Sequence, residues 1–361
     1  MKTFEINKNH DFLMKRMGDI SQLAGLKRYE MLDGKARGVE AVDFKTGTGF
    51  QFTVLPGRGM DIAWASYQGV PISYMSKTGI VSPAYYNPEG MNWLRSFFAG
   101  LLTTCGLSNV GGPCEDEEPI IGSQKYGLHG RISQICADHV CVREEWSDDT
   151  FRMAVSGRVQ ESMVHCENLA LTREVSTELG KNFLRIHDTV ENMGFNARPL
   201  MLLYHINIGY PILDVGTRIV LKSKKVEPND ELSRQNLKQF DQVGEPVGGA
   251  KENLFFHDLC TDPDQTTYVG LINDTLEVGV YIRFNKAQLK NLAEWKQLGE
   301  AEYVVGIEPA NCRPAGRLEQ KADGALEMLQ PGEKRCFELE IGILTNKDEI
   351  CVFEKRVGKL K

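Results

Sequence analysis

The chain of 361 residues lacks any run of about 18 apolar residues, the length that a membrane-spanning helix needs. Its first segment, residues 1–18, interrupts every apolar stretch with charge and so lacks the apolar region of a secretion signal. Long blocks of like charge are missing too, because lysine and arginine are scattered. These absences predict a cytoplasmic protein that binds neither membranes nor nucleic acids.

The nine cysteines are odd in number and widely spread, without the regular spacing of a disulfide framework, which predicts reduced thiols. Cys136, His139 and Cys141 lie close together, but zinc sites are rarely so compressed and a second ligand pair is missing. Cys105 has no adjacent base motif that would make it a nucleophile. The segment PGRGMD lacks the patterns of nucleotide-binding loops. The sequence therefore predicts no metal and no other cofactor.

The composition, 42% hydrophobic and 25% charged residues, is that of a globular protein with a sizeable core. A formal net charge of -7 makes a small polar molecule the expected partner. Neither a repeat of fixed period nor a linker rich in proline and serine divides the chain. One domain spanning residues 1–361 is the simplest prediction.

Apolar and polar residues alternate with a period of two in many segments, as half-buried strands do. The clearest segments are 38–44, 50–55, 151–159, 182–190, 276–284 and 336–344. Turn-forming sequences such as LDGK and QPGEK separate them, which predicts a mainly β protein of antiparallel sheets. Helical spacing predicts short helices within 11–25 and 92–102. The polar segments 114–119 and 222–242 are predicted to be loops.

Three strand-like or adjacent segments carry an ionisable side chain: YGLHGRI with His129, LLYHINIGYP with His205, and VVGIEPAN with Glu308. His205 and Asn207 are two residues apart, so on a strand they share one face of the sheet. Burying an unpaired imidazole or carboxylate costs several kcal/mol. We therefore expect the three groups to meet one another or to line a wet cavity.

Each of the three also has a structural interpretation when it is taken alone. A single histidine in an apolar strand such as that of His205 is more often a hydrogen-bonded structural residue. His129 lies among glycines and could serve a loop, and Glu308, followed by Pro309, could cap a turn. The functional interpretation depends on their occurring together.

The three segments resemble those of the aldose 1-epimerase (galactose mutarotase) superfamily, in the same order and at roughly the same spacing. The segment from Glu308 to Pro314 resembles the one that carries the family's base glutamate. YHINIGYP resembles the segment of the general-acid histidine, and YGLHGRI resembles the earlier HGG motif. The resemblance spans most of the chain and implies a galactose mutarotase-like β-supersandwich with a few short helices.

The sequence departs from the family pattern at several positions, and these departures leave the identity of the sugar open. Arg131 replaces the second glycine of the HGG motif, and the His205 segment lacks the usual preceding Asn and following Tyr-Phe. RGMDI and GLLTTCGLSNVGGP resemble a bacterial branch of aldose-epimerase-like proteins near the deoxyribose mutarotases. The implied activity is therefore mutarotation, while pentose, deoxysugar, hexose and sugar acid all stay open as substrates.

The resemblance implies that Glu308 is the base and His205 the acid of ring opening, roles that exchange on reclosure. His129 would hold the sugar near its ring oxygen. We expect the end of a strand to deliver Glu308 into the cleft, with Pro309 turning the chain away behind it.

Four further residues are candidates for contacts with sugar hydroxyls, and each has a structural alternative. Arg58 lies in LPGRGMD, where glycines let the backbone approach a ligand, although it could instead pair with Asp61. The other three candidates are Asn207, Asp258, in a position where the superfamily often has a sugar-binding Asp, and Asn311. Trp295 could offer an apolar face to a sugar, but such a residue is more often part of the core.

Two other functions stay open at this stage. Two imidazoles and a carboxylate are a common ligand set, so His129, His205 and Glu308 could serve a metal-dependent sugar isomerase. A carbohydrate-binding protein without catalysis could keep the same pocket. An edge strand pairing two copies would give a homodimer, which the sequence allows.

Overall fold

Strands dominate the computed structural model, which describes residue 6 and residues 8–361. Residues 1–5 and 7, part of the segment considered for a secretion signal, lie outside the described residues. In chain order the strands are β1 (Gly25–Glu30), β2 (Glu40–Lys45), β3 (Phe50–Leu55), β4 (Asp61–Tyr67), β5 (Val70–Pro71), β6 (Tyr74–Met75), β7 (Ala99–Gly100), β8 (Leu102–Leu107), β9 (Cys114–Glu118), β10 (Gly122–Tyr126), β11 (Asp138–Ser147), β12 (Thr150–Ser162), β13 (Asn168–Glu178), β14 (Phe183–Asn192), β15 (Arg198–Pro199), β16 (Met201–Gly209), β17 (Arg218–Val220), β18 (Ser223–Pro228), β19 (Asn253–Leu259), β20 (Thr266–Asn273), β21 (Val278–Asn285), β22 (Asn291–Gly299), β23 (Glu302–Ala310), β24 (Met328–Leu329) and β25 (Lys334–Leu344).

The α-helices are short, except for the last one. They are α1 (His10–Met14), α2 (Glu231–Gln235), α3 (Arg317–Ala322) and α4 (Lys347–Gly358). Single 3₁₀ turns lie between these elements, for example at Ile20–Gln22 before β1 and at Asn92–Arg95 between β6 and β7. No helix within the described part of the chain is long and apolar enough to cross a membrane.

Two large antiparallel sheets form the body of the protein. The eleven-stranded sheet has the order β1-β2-β3-β4-β8-β16-β23-β22-β19-β18, with β5 added beside β4. The eight-stranded sheet has the order β11-β12-β13-β14-β25-β21-β20-β17. Among the central strands of the first sheet, β8, β16 and β23 are neighbours in space although they are far apart in the sequence, whereas β22 and β23 form a hairpin.

The main core lies between the two sheets. Along β16, Leu202, Tyr204, Ile206 and Ile208 are fully buried in it and meet residues of the eight-stranded sheet such as Val155 and Ile186. Burying an aliphatic side chain of this size contributes about 1.5–3 kcal/mol. The odd-numbered residues of β16 point to the other face of the sheet, where a second apolar cluster forms under residues 93–99.

The period-two pattern was a sound guide to the strands. The six predicted segments coincide, within a few residues, with β2, β3, β12, β14, β21 and β25. The prediction of a mainly β protein with antiparallel sheets and few helices is confirmed.

The two predicted helices are mostly wrong. Within 11–25 only α1 and one 3₁₀ turn form, and β1 begins at Gly25. Within 92–102 a 3₁₀ turn ends at Arg95 and strands follow. Ala99 and Gly100 adopt left-handed φ angles of 64° and 66°, which break a helix. A side chain at Gly100 would lie 2.5 Å from the carbonyl oxygen of Ile62, so only glycine fits there.

Both predicted loops contain regular structure. Residues 114–118 form β9, which pairs with β10, and 222–242 contain β18 and α2. The polar sequence of β9 predicts a loop, but its two inward-facing acids can lie in a strand because arginines from other parts of the chain neutralise them. Asp116 and Glu118 both pair with Arg317, and Glu118 also pairs with Arg198.

Candidate active site

His205 lies in the middle of β16 on the outer face of the eleven-stranded sheet. Its neighbours Tyr204 and Ile206 face the main core, so strand alternation sends its imidazole the other way. The side chain is only 6% exposed because residues 93–99 cover this face. The ring of Phe97 lies 5.1 Å from that of His205, centroid to centroid.

Glu308 reaches the same place from the neighbouring strand. The pairing of Leu203 with Ala310 and of Ile206 with Ile307 places Glu308 opposite His205. Glu308 Oε1 lies 3.2 Å from His205 Nε2. Gly306 leaves room for this contact, because a side chain there would lie 2.9 Å from Glu308 Oε1.

The expectation that Pro309 turns the chain away behind Glu308 is wrong. Strand β23 continues to Ala310, and Pro309 pairs with Leu292 of β22. The fixed φ of proline, near -65°, is compatible with an extended strand. Strand register, and not the end of a strand, therefore delivers the carboxylate.

Burial dominates the electrostatics of the His205–Glu308 pair. Together with the nearby charge of Glu252, which acts in the same direction, it raises the pKa of Glu308 to about 8. Burial lowers the pKa of His205 to about 3, and His129 acts in the same direction. Near neutral pH the pair therefore holds one proton, and these shifts place it on Glu308, 3.2 Å from His205 Nε2.

Aromatic rings surround the pair. Trp295, on β22, lies 5.3 Å from the His205 ring, and Phe97 lies 6.5 Å from Trp295. The indole Nε1 of Trp295 donates to Glu252 Oε2 at 2.8 Å, which orients the ring. Trp295 is half-buried, so part of it stays accessible beside Glu308.

His129 joins this group from the loop after β10. Its ring centroid is 6.1 Å from that of His205 and 4.9 Å from that of Trp93. The backbone at His129 has a φ of 56°, a left-handed conformation that turns the ring toward the sheet. Burial lowers its pKa to about 4, so the imidazole is neutral at physiological pH. The structure thus brings together the three groups predicted from sequence.

Arg58 lies in the turn between β3 and β4 and is fully buried. Its guanidinium carbon is 4.6 Å from the centroid of Phe98. None of its three nitrogens has a hydrogen-bond partner among the described residues. Burial lowers its pKa to about 10, while the charge of Asp61 opposes this shift. All three nitrogens of this buried guanidinium therefore carry donors that the described chain does not use.

The two candidate asparagines contact backbone groups. Asn311 donates to Leu200 O at 2.9 Å and accepts from Leu202 N at 2.7 Å, which ties the segment after β23 to β16. Asn207 donates to Ala99 O at 3.2 Å and to His205 O at 2.8 Å. Its Oδ1 has no partner in the described chain. Both amides support the strand that carries His205.

Asp258 lies on β19 and is paired with Lys286, with 53% of its side chain exposed. It lines a cavity of about 260 Å³ together with Phe256 and Arg313. In the described chain it makes no hydrogen bond or ion pair with His205 or Glu308. The structure therefore does not bring Asp258 into contact with the central pair.

Sequence reasoning missed Glu252 and Phe97 as parts of this site. Glu252 lies in a polar connection before β19, where an acid gives no signal. Phe97 belongs to the segment 92–102, whose spacing predicts a helix. Neither position could be placed beside Glu308 without the pairing of β16, β23 and β22.

The described residues contain no group of three histidine, cysteine, aspartate or glutamate side chains placed to hold a metal ion. This includes His129, His205 and Glu308 in their present geometry. It also includes Cys136 and Cys141, which are exposed on or next to the edge strand β11.

Solved structures share this architecture. A candidate aldose 1-epimerase of Klebsiella pneumoniae superposes with a TM-score of 0.87 at 24% sequence identity, covering 94% of this chain and 90% of that one. For a galactose mutarotase-like protein of Clostridium acetobutylicum the TM-score is 0.63 at 15% identity, with 89% and 99% covered. For galactose 1-epimerase of Lactobacillus acidophilus it is 0.56 at 13% identity, with 89% and 98% covered.

These similarities confirm the predicted galactose mutarotase-like β-sandwich. No curated protein matches the chain in sequence. A family sequence profile matches residues 36–343, more than half of the chain. The chain therefore belongs to the family described as domain of unknown function DUF4432.

Proposed function

We propose that the protein is a sugar mutarotase, which interconverts the α and β anomers of a sugar by acid–base opening of its ring. The observation that carries this proposal is the contact of 3.2 Å between His205 Nε2 and Glu308 Oε1 on the covered outer face of the sheet. The fold that the chain shares with proteins named as aldose 1-epimerases agrees with it.

The chemistry needs two proton transfers. One group takes the proton of the anomeric hydroxyl while another gives a proton to the ring oxygen, and after rotation of the aldehyde both transfers run in reverse. In the productive state the proton of the pair has moved from Glu308 to His205, which makes His205 the acid and leaves Glu308 ionised as the base. A pair that holds one proton between two adjacent groups supplies both roles without any net change of protonation.

Binding would come from the groups around the pair. The neutral ring of His129 gives one hydrogen-bond donor near the ring oxygen, and Arg58 has three nitrogens whose donors no described residue uses. Trp295 offers an apolar face of the kind that packs against a sugar ring. Asn207 and Asn311 act by holding β16 in place. We propose a small-molecule sugar as the partner and a reduced, cytoplasmic setting, in keeping with nine free cysteines.

The test is anomeric exchange measured by NMR on protein treated with EDTA. The panel covers pentoses, deoxyribose, hexoses and sugar acids. Faster exchange of one sugar than in buffer alone, at a rate proportional to protein concentration, is the expected result and names the substrate. Activity that appears only after a divalent metal is restored would replace the proposal by a metal-dependent isomerase. Binding of a sugar without any exchange would leave a carbohydrate-binding protein.

A further inference from the structure

Glu161 is a buried acid in a row of apolar positions. On β12 the residues that face the main core are Met153, Val155, Gly157 and Val159, and the next inward position is Glu161. Its side chain is fully buried. An acid at such a position is costly unless its oxygens accept hydrogen bonds.

The carboxylate accepts two hydrogen bonds from the opposite sheet. Leu107 N donates to Oε2 at 2.8 Å, and the hydroxyl of Ser108 donates to Oε1. Both donors lie where β8 ends and the connection toward the His129 loop begins. Glu161 thus fixes the end of β8 from the eight-stranded sheet.

The segment that begins at Gly106 encloses the backbone of His129. Gly106 N donates to His129 O at 3.0 Å, and His129 N donates to Gly111 O at 2.9 Å. Arg131 N donates to Gly106 O at 3.1 Å. The backbones approach so closely that a side chain at Gly130 would lie 2.3 Å from Gly106 O. The position of His129 therefore depends on residues 106–111, which we call the cradle.

The cradle also contacts the imidazole itself. Gly111 N donates to His129 Nδ1 at 3.4 Å, so Nδ1 is the acceptor nitrogen. A neutral imidazole carries one proton, which this contact places on Nε2. The other side of Gly111 is blocked, because a side chain there would lie 2.6 Å from Pro314 O.

We propose that Glu161 is a positioning residue for the sugar site, which holds the cradle at Leu107 and Ser108 so that His129 presents Nε2–H to the ligand. This inference rests on the proposed function for its meaning, since it specifies which nitrogen of His129 donates to the sugar. Glu161 itself does not touch the ligand.

The surroundings of Glu161 predict which substitution preserves this role. Burial raises its pKa to about 7, with Glu167 acting in the same direction and Arg131 against it, and Tyr86 is a further neighbour. Burial therefore favours the neutral form of Glu161. A neutral side chain with an oxygen acceptor for Leu107 N is sufficient, so Glu161→Gln should act like the natural residue.

The first test is a double-mutant cycle on the Michaelis constant of the sugar. Glu161→Leu, which removes both acceptors at similar volume, should raise KM about tenfold and leave kcat within about twofold. Glu161→Gln should restore KM. In a His129→Asn background Glu161→Leu should have no further effect on KM, because the two residues act through one contact. Glu167→Gln is the matched control, since Glu167 accepts no hydrogen bond from the cradle within the described chain.

The second test needs no turnover and so separates this inference from the proposed function. In protein with ¹⁵N-labelled histidine, the His129 signals should show a protonated Nε2 and an acceptor Nδ1, in the natural protein and in Glu161→Gln. Glu161→Leu should give a mixture of both tautomers. If Glu161→Leu fails to fold, Ser108→Ala removes one of the two contacts and should shift the tautomer ratio partly. An unchanged tautomer in these variants would overturn the inference.

Discussion

Glu308 and Glu294 lie on opposite faces of the same two strands, and each has a histidine nitrogen within 3.2 Å. Glu308 pairs across the ladder with Ala293, and Glu294 with Ile307, so the two carboxylates point away from each other. Glu308 meets His205 on the outer face, and Glu294 meets His257 on the inner face. The protein therefore contains a natural control for its candidate catalytic pair.

The surroundings distinguish the two pairs. His257 is held by the hydroxyl of Ser223 at 3.0 Å and covered by the ring of Phe240. Next to it the ammonium of Lys296 donates to three backbone carbonyls between residues 239 and 242. This inner pair is part of the packing of residues 237–242 on the sheet, whereas the outer pair lies beside the accessible part of Trp295.

The first prediction compares glutamine at these two positions. Glu308→Gln keeps the shape of the side chain but removes the base, so anomeric exchange should slow by about 100-fold or more. The affinity for the sugar should change little. Glu294→Gln should leave the rate within about threefold, because His257 and Glu294 take no part in proton transfer. The measurement is NMR exchange at saturating sugar for the three proteins.

Equal losses in both variants would show that any change in the central strands disturbs the sheet, and the rate would then say nothing about a base. Full activity of Glu308→Gln would remove Glu308 from the mechanism.

The second prediction concerns the alkaline limb of the pH profile. The pair holds one proton as long as the pH is below the pKa of Glu308, which burial raises to about 8. Above that pH the pair loses its proton and has no acid for the ring oxygen, so kcat/KM should fall about tenfold per pH unit. Neutralising Glu252 removes a charge that raises this pKa. Glu252→Gln should therefore move the alkaline limb to lower pH. An unmoved limb would show that this limb does not report the ionisation of Glu308.

The third prediction concerns the stability of the folded protein, which depends on pH because the pKa of Glu308 is raised. At pH 4 and below Glu308 is protonated in both states and imposes no penalty. As the pH rises above 4.5 the unfolded chain ionises while the folded one does not, so stability is lost up to about pH 8. The loss is at most about 1.4 kcal/mol per pH unit. Glu308→Gln should therefore gain stability over the natural protein from pH 5 to pH 8 in urea unfolding. A pH-independent difference would contradict the buried, protonated glutamate.

Strand alternation made much of the fold predictable, as β3 illustrates. Its sequence alternates apolar and polar residues at first, and its predicted range, 50–55, is the observed one. The 92–102 segment failed for the converse reason. Its apolar residues face different clusters, with Phe97 beside His205, Phe98 in the cluster of Leu55 and Leu101 in the main core, so their spacing does not mark one face of a helix.

The residues of the candidate site could be predicted from the sequence, but the contacts between them could not. Family resemblance pointed to His129, His205 and Glu308, but the 3.2 Å contact depends on the register of β16 and β23, which are about a hundred residues apart in the sequence. Glu161 did leave a signal, because it interrupts the apolar row from Met153 to Val159. That signal marks a buried acid and says nothing of the cradle it holds.

At Arg58 the requirements of ligand binding and of folding stability oppose each other. Its buried guanidinium has no hydrogen-bond partner in the described chain, and its nearest acid, Asp61, accepts instead from Thr104. A buried charge without partners costs free energy, so the natural residue should make the folded protein less stable than an apolar side chain of similar size would.

The fourth prediction is therefore a variant that is more stable and less able to bind. Arg58→Met should raise the free energy of unfolding by about 1 kcal/mol or more. It should also weaken sugar binding about tenfold or more, because the guanidinium donors are lost. Urea unfolding and NMR titration with the sugar found in the exchange assay measure the two effects on one sample. Lower stability with unchanged affinity would assign Arg58 to the fold, through its contact with Phe98, and would remove it from the sugar site.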